Sequence, residues 1–301
     1  MKSHRIGMLG LSMILLMAGW IFAQNVQQSV GSNGLVDWSN QMIKATGIGS
    51  PNPNMPETAQ RAGAIDAAKK AALRNLLETV KGMTLDSETT VRNFMVENDV
   101  INTRVSGIVR NFTVVDTKYM STGDIEVTIE MPLSGALSDA LLPPQMGGTT
   151  LAPTGGAVCP CCGQPWPAGK PMPAGVTVNQ PAPAPSSGGA VTGLVIDTKG
   201  LGIRPAMAPK VLDESGQELY GSNYVSRDWA IQIGMVGYDK DVNRARSNDR
   251  VAANPLVIKA LKASGPNKSD VVVSAASAEA IRTAANAHNF LDQCKVMFIV
   301  D

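Results

Sequence analysis

The sequence predicts an α+β protein with two small folded domains, joined by a flexible linker and preceded by an export signal. Patterned apolar segments occupy residues 34–142 and 191–301, whereas residues 143–190 are rich in Pro, Gly, Ala and Thr. Such a linker cannot bury enough apolar surface to offset its ordering entropy, so we expect it to be disordered. Within each patterned segment, apolar residues recur at helical spacing in some stretches and alternate as in strands in others, which is typical of an α+β domain.

The N-terminus has the layout of a secretory signal. Lys2 and Arg5 give it positive charge, the apolar run 6–17 follows, and cleavage is expected after Ala23, which makes residues 1–23 a signal peptide. A retained anchor is the alternative, but the run is short and rich in Met and Gly for a membrane span. We therefore expect a periplasmic or secreted bacterial protein with no integral membrane span after cleavage.

The overall charge is close to neutral. The chain has 26 Lys and Arg against 25 Asp and Glu, and cleavage would remove two basic residues and leave 24 against 25. This balance gives no electrostatic reason to bind nucleic acid or an anionic membrane surface. Aromatic residues make up only 4% of the chain, so its cores must consist mostly of aliphatic side chains, Met and Ala.

The first domain is predicted to begin with a strand from Leu35 to Ile48, after polar residues 24–33 that we expect to be frayed. A long amphipathic helix follows, with Thr58 as its N-cap and Gly82 as a left-handed C-terminal stop. Apolar residues recur every three to four positions along this helix, at Ile65, Ala68, Ala72, Leu76 and Val80.

The rest of this domain is predicted as a short strand at 83–89, a second helix from Val91 to about Gly107, and a hairpin. The hairpin strands are residues 112–119 and 125–131. The return strand alternates apolar and polar residues, so one of its faces should pack on the helices and the other should face water.

The second domain shows the same mixture of patterns. Its elements are predicted as strands at 194–197, 210–212, 218–220, 256–263, 270–274 and 294–300, and helices at 226–238 and from Ser277 to about Asn289.

Histidine, the usual acid–base group at neutral pH, occurs only twice. His4 would leave with the signal, and His288 lies near the end of a predicted helix without a nucleophile motif nearby. The sequence around Lys268 lacks the glycines of a phosphate-binding loop, and the glycines at 200 and 202 lack the third glycine of a dinucleotide site.

Pairs of carboxylates give no stronger indication of catalysis. Asp239 and Asp241 lack the Gly and the distal Glu of a calcium loop, so a solvated helix end explains them better. Asp116 and Glu126 face each other across the predicted hairpin, where exposed strand faces commonly carry charge. We therefore expect that the protein is not an enzyme.

Three of the four cysteines lie in the linker, in Cys159-Pro160-Cys161-Cys162-Gly163. The Cys159 and Cys162 spacing resembles half of a zinc knuckle, but a second pair is missing, so zinc would have to be shared between two chains. Disulfides among Cys159, Cys161, Cys162 and Cys294 are the alternative in an oxidising compartment, and inert thiols are a third. Trp166, among prolines, is a candidate docking anchor.

A further pattern runs through the first domain. A Gly-containing strand precedes an Ala-rich helix, and a Gly-Ile-Val run and an alternating strand follow; these are Ala45-Thr46-Gly47-Ile48-Gly49, Ala62-Gly63-Ala64-Ile65-Asp66-Ala67-Ala68, Leu73-Arg74-Asn75-Leu76-Leu77, Val80-Lys81-Gly82, Gly107-Ile108-Val109 and Ile125-Glu126-Val127-Thr128.

Over roughly residues 36–135, this pattern resembles the Lpp-twenty lipoprotein family and the related N-terminal domain of the flagellar protein FlgT. The resemblance implies a small α+β domain of the bacterial envelope without known catalysis, in proteins some of which serve motility. The lipidated Cys of the lipoproteins is missing here, which puts direct membrane anchoring in doubt.

Two functional hypotheses follow. The first is a non-enzymatic exported envelope protein, structural or protein-binding, with a role in motility or outer-membrane assembly and with other envelope proteins as partners. Its oligomeric state is open, and a homo-oligomer is one alternative. The second hypothesis is a metal-binding or redox-responsive module built on the linker cysteines, with zinc as the cofactor.

Overall fold

The computed structural model describes residues 25–151 and 190–301. In these ranges the chain forms a five-stranded and a seven-stranded sheet, each packed with helices. The prediction of two α+β domains is confirmed. The predicted signal at 1–23 and linker residues 152–189 lie outside the described residues.

The first sheet is antiparallel throughout. Its strands lie in the order β1 (Gln27–Val30), β2 (Gly34–Asp37), β3 (Met42–Gly49), β5 (Ile125–Pro132) and β4 (Thr113–Tyr119). The prediction that residues 24–33 are frayed is wrong, because β1 pairs with β2 along its whole length.

The strand predicted from Leu35 to Ile48 is in fact a hairpin of β2 and β3. The chain turns because the carboxylate of Asp37 accepts a hydrogen bond from the backbone N–H of Asn40 at 2.9 Å, and Gln41 adopts a φ of 55°. Asp and Asn are residues that favour such turns. Because apolar residues lie on both sides of this turn, the sequence pattern resembles that of one continuous strand.

Helix α1 (Glu57–Lys81) crosses the buried face of this sheet as predicted, although its ends differ. It begins after Pro56, whose ring fixes φ at −54°, and not after Thr58. Gly82 has a φ of −79°, so it is not a left-handed stop. A Cβ at Gly82 would lie 2.4 Å from Cγ1 of Val30, so glycine is required here for space.

The contact between α1 and β3 is unusually close. A Cβ built on Gly47 would lie 2.1 Å from the backbone N of Ala72 and 2.4 Å from the O of Ala68. One built on Gly49 would lie 2.1 Å from the O of Ala64. The helix backbone therefore rests on the strand backbone at two points, with only hydrogen and methyl groups between them.

The single helix predicted for residues 91–107 is two helices, α2 (Val91–Glu97) and α3 (Asp99–Ile108). Asn98 separates them with an extended backbone, and its side chain accepts a hydrogen bond from the N–H of Ile101. The strand predicted at 83–89 reduces to one bridge, between Thr84 and Thr90. The hairpin of β4 and β5 is confirmed, and α4 (Ala136–Leu141), which was not predicted, follows it.

The second sheet is mixed. Its order is β8 (Glu218–Tyr220), β7 (Val211–Leu212), β11 (Asp270–Val273), β10 (Pro255–Ser264), β6 (Gly193–Asp197), β12 (Val296–Ile299) and β9 (Gly237–Asp239). Strands β10, β6, β12 and β9 are parallel to one another, whereas β11 is antiparallel to β10.

Three helices accompany this sheet: α5 (Arg227–Ile233), α6 (Val242–Arg246) and α7 (Ala275–Ala287). The helix predicted at 226–238 stops early, because Gly234 has a φ of 77°, and its last residues form β9. Helix α7 begins after Ser274, whose hydroxyl accepts a hydrogen bond from the N–H of Ser277. The α6 helix was not predicted.

The two domains are packed against each other through one continuous core. Trp38 of the first domain stands edge-on to Tyr238 of the second, with ring centroids 5.7 Å apart, and Tyr238 is edge-on to Phe298 at 6.0 Å. The start of the predicted linker is also packed: Leu151 is buried, and the N–H of Gly147 donates to the O of Ser222 at 2.9 Å. The boundary predicted at residue 143 therefore lies too early.

A buried ion pair stabilises the second domain. Arg282 of α7 donates to Asp213, in the turn between β7 and β8, at 2.8 Å, and both side chains are almost fully buried. Burial raises the pKa of the Asp213 carboxyl, but hydrogen bonds from Ser215, Arg282 and the backbone N–H of Gln217 outweigh this and lower the pKa to about 2.

We expect Gly47→Ala to destabilise the first domain by about 3 kcal/mol, because the new methyl group has to push α1 away from β3. The matched control is Gly107→Ala in α3, where a Cβ meets no atom within 4 Å. It should leave stability unchanged or raise it by up to about 1 kcal/mol, because Ala favours helices over Gly. Urea unfolding measures both, and equal effects would contradict the close contact.

The folded-state pKa of Asp213 lies below its ordinary value of 3.8, so the stability that this group contributes is present above about pH 4 and is lost as the pH falls towards 2. The loss should be about 2 kcal/mol. In Asp213→Asn, which is less stable at pH 7 because Arg282 loses its charged partner, this part of the pH dependence should disappear. Urea unfolding between pH 2.5 and 7 tests this, and parallel profiles would refute it.

Candidate functional site

A cleft of about 620 Å³ lies between the two domains. The first domain contributes the start of its chain and the turn between β2 and β3. The second contributes α5, the ends of β9 and β12, and the loop after α6. We call this space the inter-domain cleft. Ligand sites commonly have volumes of this size and occur between domains.

One wall is held in shape by the carboxylate of Asp37. It accepts hydrogen bonds from the side-chain amides of Asn25 at 3.3 Å, Gln27 at 3.1 Å and Asn40 at 3.0 Å, and from the backbone N–H of Asn40. Burial raises the pKa of Asp37, but these hydrogen bonds outweigh it and leave the pKa lowered. Asp37 is therefore a charged anchor that fixes the turn bordering the cleft.

The same turn is attached to the second domain. The hydroxyl of Ser39 donates to the carbonyl of Tyr238 at 2.9 Å and accepts from the N–H of Val26, also at 2.9 Å. The side chain of Gln41 lies against Gly234, where an added Cβ would be 2.8 Å from its Oε1 atom. These contacts fix the width of the inter-domain cleft at its base.

The opposite wall depends on Arg250. Its guanidinium donates to the carbonyls of Gly234 and Cys294, each at 2.9 Å, and to that of Ile233. It lies close to β9, since a Cβ on Gly237 would be 2.9 Å from its Nε atom. Burial lowers the pKa of Arg250 from its ordinary value. Arg250 thus links the C-terminal end of α5 to the residues that precede β12.

Asp239 and Asp241 have structural roles at the edge of the inter-domain cleft. Arg244 binds the carboxylate of Asp239, with Nε 2.7 Å from Oδ2 and Nη2 2.6 Å from Oδ1, and Asp239 is buried. The carboxylate of Asp241 accepts from the N–H of Arg244 at 2.8 Å and so caps α6. Asp239 is thus a buried ion-pair partner, and not part of a solvated helix end as the sequence suggested.

The remaining lining is a mixture of amide, apolar and charged side chains. Amide side chains line it from both domains, together with Lys295 and the indole of Trp229, which is 40% exposed. Amides both donate and accept hydrogen bonds, and an exposed indole offers apolar surface to a ligand. Within residues 25–151 and 190–301, no histidine lines the cleft. This arrangement can bind and orient a ligand. Of the two carboxylates in the lining, Asp239 is already paired with Arg244, whereas Asp249 is exposed.

The sequence did not point to this cleft. The predicted zinc ligands Cys159 and Cys162, the disulfide candidate Cys161 and the docking candidate Trp166 lie outside the described residues, and their roles stay predictions. Across residues 25–151 and 190–301, no group of three or more His, Cys, Asp or Glu side chains could hold a metal ion. The turn-forming Asp37-Trp38-Ser39-Asn40 was the one local signal, and its partner residues lie about 200 positions away.

The remaining disulfide candidate, Cys294, has a free thiol with no exposed surface. Burial raises its pKa to about 11, despite the hydrogen bond with Tyr220 and the nearby Arg250 charge. A thiol of this kind is poorly reactive, since the thiolate is the nucleophile. For Cys294 to pair with a linker cysteine, the core around β12 would have to open first.

Each of the two domains is similar to a known family. Residues 39–131 match the family model described as LPP20 lipoprotein, which confirms the resemblance to the Lpp-twenty family. Residues 193–301 match the model described as Treponema pallidum Tp0624, second domain. No curated protein matches the chain. The likeness to the FlgT domain stays a prediction.

The match to a lipoprotein family indicates an exported protein of the cell envelope. In residues 25–151 and 190–301, none of the helices has the length and apolar character needed to cross a membrane.

We expect Cys294 to be unreactive in the native protein. In a chain with Cys159→Ser, Cys161→Ser and Cys162→Ser, Ellman's reagent at pH 8 should detect almost no thiol until denaturant is added, and then one thiol per chain. The chain that keeps all cysteines is the comparison. Rapid labelling of native Cys294, or a disulfide from Cys294 to the linker in that chain, would refute its burial.

Proposed function

We propose that this chain is a non-enzymatic protein of the bacterial envelope that binds a segment of another envelope protein in the inter-domain cleft. The observation that carries the proposal is the cleft itself, built jointly by two domains that share one core. A site fixed by such packing is preorganised, so little ordering of the protein opposes binding.

Binding fits the cleft better than catalysis because most of the charged groups around it, Asp249 and Lys295 excepted, hold its walls. Asp37 accepts four hydrogen bonds, Asp239 is paired with Arg244, and Arg250 is bound to three carbonyls. A general acid or base has to reach a substrate proton at hydrogen-bonding distance with a suitable pKa. These groups instead act as supports.

A polypeptide is the ligand that the lining suits. Its main chain presents alternating N–H and C=O groups, and side-chain amides such as those of Asn248 and Gln293 are able to pair with either. Trp229 offers an exposed aromatic surface to an apolar side chain, and tryptophan is the residue type most often found at the energetic centre of interfaces.

The finer part of the proposal is a role in motility or in outer-membrane assembly, which the Lpp-twenty likeness supports. Deleting the gene in the producing bacterium and measuring swimming and outer-membrane permeability distinguishes the two. Loss of neither property would contradict this part. Turnover of a defined substrate by the purified chain would contradict the non-enzymatic part.

We expect Trp229→Ala to weaken binding of the partner by about 30-fold, which corresponds to about 2 kcal/mol. A photoreactive amino acid at position 229 should identify that partner by forming an adduct in living cells, and one at Lys70, exposed on α1, should not. Val96→Ala is the matched control for truncating an exposed apolar side chain, and it should leave the affinity unchanged.

Both truncations should leave the unfolding midpoint within the range of ordinary surface substitutions. A partner whose affinity does not respond to Trp229→Ala, or which is captured equally from position 70, would contradict binding in the inter-domain cleft.

A further inference from the structure

Strand β4 forms an open edge of the first sheet. It lies at the end of the strand order, next to β5, and nothing else in the described part of the chain pairs with it. Its residues are almost all exposed, among them the apolar side chains of Val114, Val115 and Tyr119, at 39%, 43% and 57%. A strand edge with unpaired backbone groups and exposed apolar side chains is a template for another strand.

The strand carries one oppositely charged pair around its centre. Asp116 and Lys118 flank Thr117. In the pairing with β5, Asp116 lies opposite Thr128 and Lys118 lies opposite Glu126, so all four are on the same face of the sheet. The Nζ atom of Lys118 lies 3.1 Å from Glu126 and 3.7 Å from Asp116. The charge order along this edge is therefore negative, neutral, positive.

This order is complementary to itself. If a second copy of β4 lies antiparallel with its Thr117 opposite Thr117 of the first, Lys118 of each copy stands opposite Asp116 of the other. Opposite charges directly across two antiparallel strands stabilise the pairing, whereas like charges there destabilise it.

Neighbouring strands extend the pattern. On the charged face, Glu126 of β5 is followed by Lys118 of β4 and then by Asp116 of the second copy, so positive and negative side chains alternate across the junction. Arg61 of α1 lies 4.6 Å over the ring of Tyr119 and holds this aromatic side chain at the edge.

We propose that two copies of this chain associate through β4, in this antiparallel register, and so join their first sheets into one continuous sheet. The occupant that the edge selects is a second copy because the complementarity is symmetric: an unrelated strand has no reason to carry the same order in reverse. The contact is a single strand pair, smaller than a typical permanent interface, so the dimer is a reversible one.

The irregularity of β4 limits the contact to one stretch. The pairing with β5 shifts register between Val114 and Asp116, which is a bulge, and bulges hinder strand addition beyond themselves. From Asp116 to Tyr119 the pairing with β5 is regular. The proposed strand pairing is therefore confined to Asp116, Thr117 and Lys118 of each copy, and Val115 at the bulge takes no part in it.

The test is a pair of charge reversals in the full chain, kept reduced so that thiols cannot link the copies. By sedimentation, the unaltered chain should double its mass reversibly as its concentration rises to about 200 µM. Asp116→Lys places Lys opposite Lys, and Lys118→Asp places Asp opposite Asp, so each variant alone should remain monomeric. An equimolar mixture of the two restores both ion pairs and should form a mixed dimer.

The chain that carries both changes keeps the complementarity and should dimerise like the original. Asp66→Lys and Lys70→Asp, at an exposed ion pair on α1, are the matched controls and should leave association unchanged. Circular dichroism and thermal unfolding verify that every variant is folded.

An unaltered chain that stays monomeric overturns the proposal, and so does a dimer that persists in both single variants. A monomer whose β4 variants lose a different protein partner overturns it as well, in favour of strand addition by that partner.

Discussion

The backbone contact between α1 and β3 is the constraint from which the rest of the structure follows. At Gly47 and Gly49 the strand has no side chains, and the helix meets it with Ala64, Ala68 and Ala72, so the two backbones touch. Close packing of this kind tolerates no added methyl group and fixes the helix axis on the sheet. The helix then ends at Lys81 in a defined place, and so does the chain that leaves it.

That departing chain is a main attachment point of the second domain. The carbonyls of Thr84 and Leu85 accept hydrogen bonds from the N–H groups of Met207 and Ala208, at 3.2 and 2.8 Å. A second attachment links α4 to α5, where Arg227 binds the carboxylate of Asp139 at 2.6 Å. With the aromatic contacts, these make the two domains one packed unit, which is why a shaped cleft exists between them.

The turn between β2 and β3 and the edge strand β4 give the first sheet two different surfaces. The turn between β2 and β3 is drawn into the second domain through Ser39 and there borders the inter-domain cleft. Strand β4, at the far end of the strand order, keeps its outer edge exposed and bears charges of both signs. A binding site between domains and an association surface on a sheet edge can therefore coexist in one chain without competing for the same residues.

By itself, the sequence determined what depends on local order: the amphipathic α1, the hairpin of β4 and β5, and most strands of the second domain follow from apolar periodicity and turn residues. Short elements such as β1, β9 and α6 could not be predicted, because their own apolar patterns are short and the partner of β9 is distant in sequence. Only the tertiary structure decided that the domains share a core and that Cys294 is buried in it. It also decided the position of the inter-domain cleft. The reason is physical: Ser39 and Tyr238, which bond at the base of the cleft, are 199 residues apart, and no local pattern encodes such a contact.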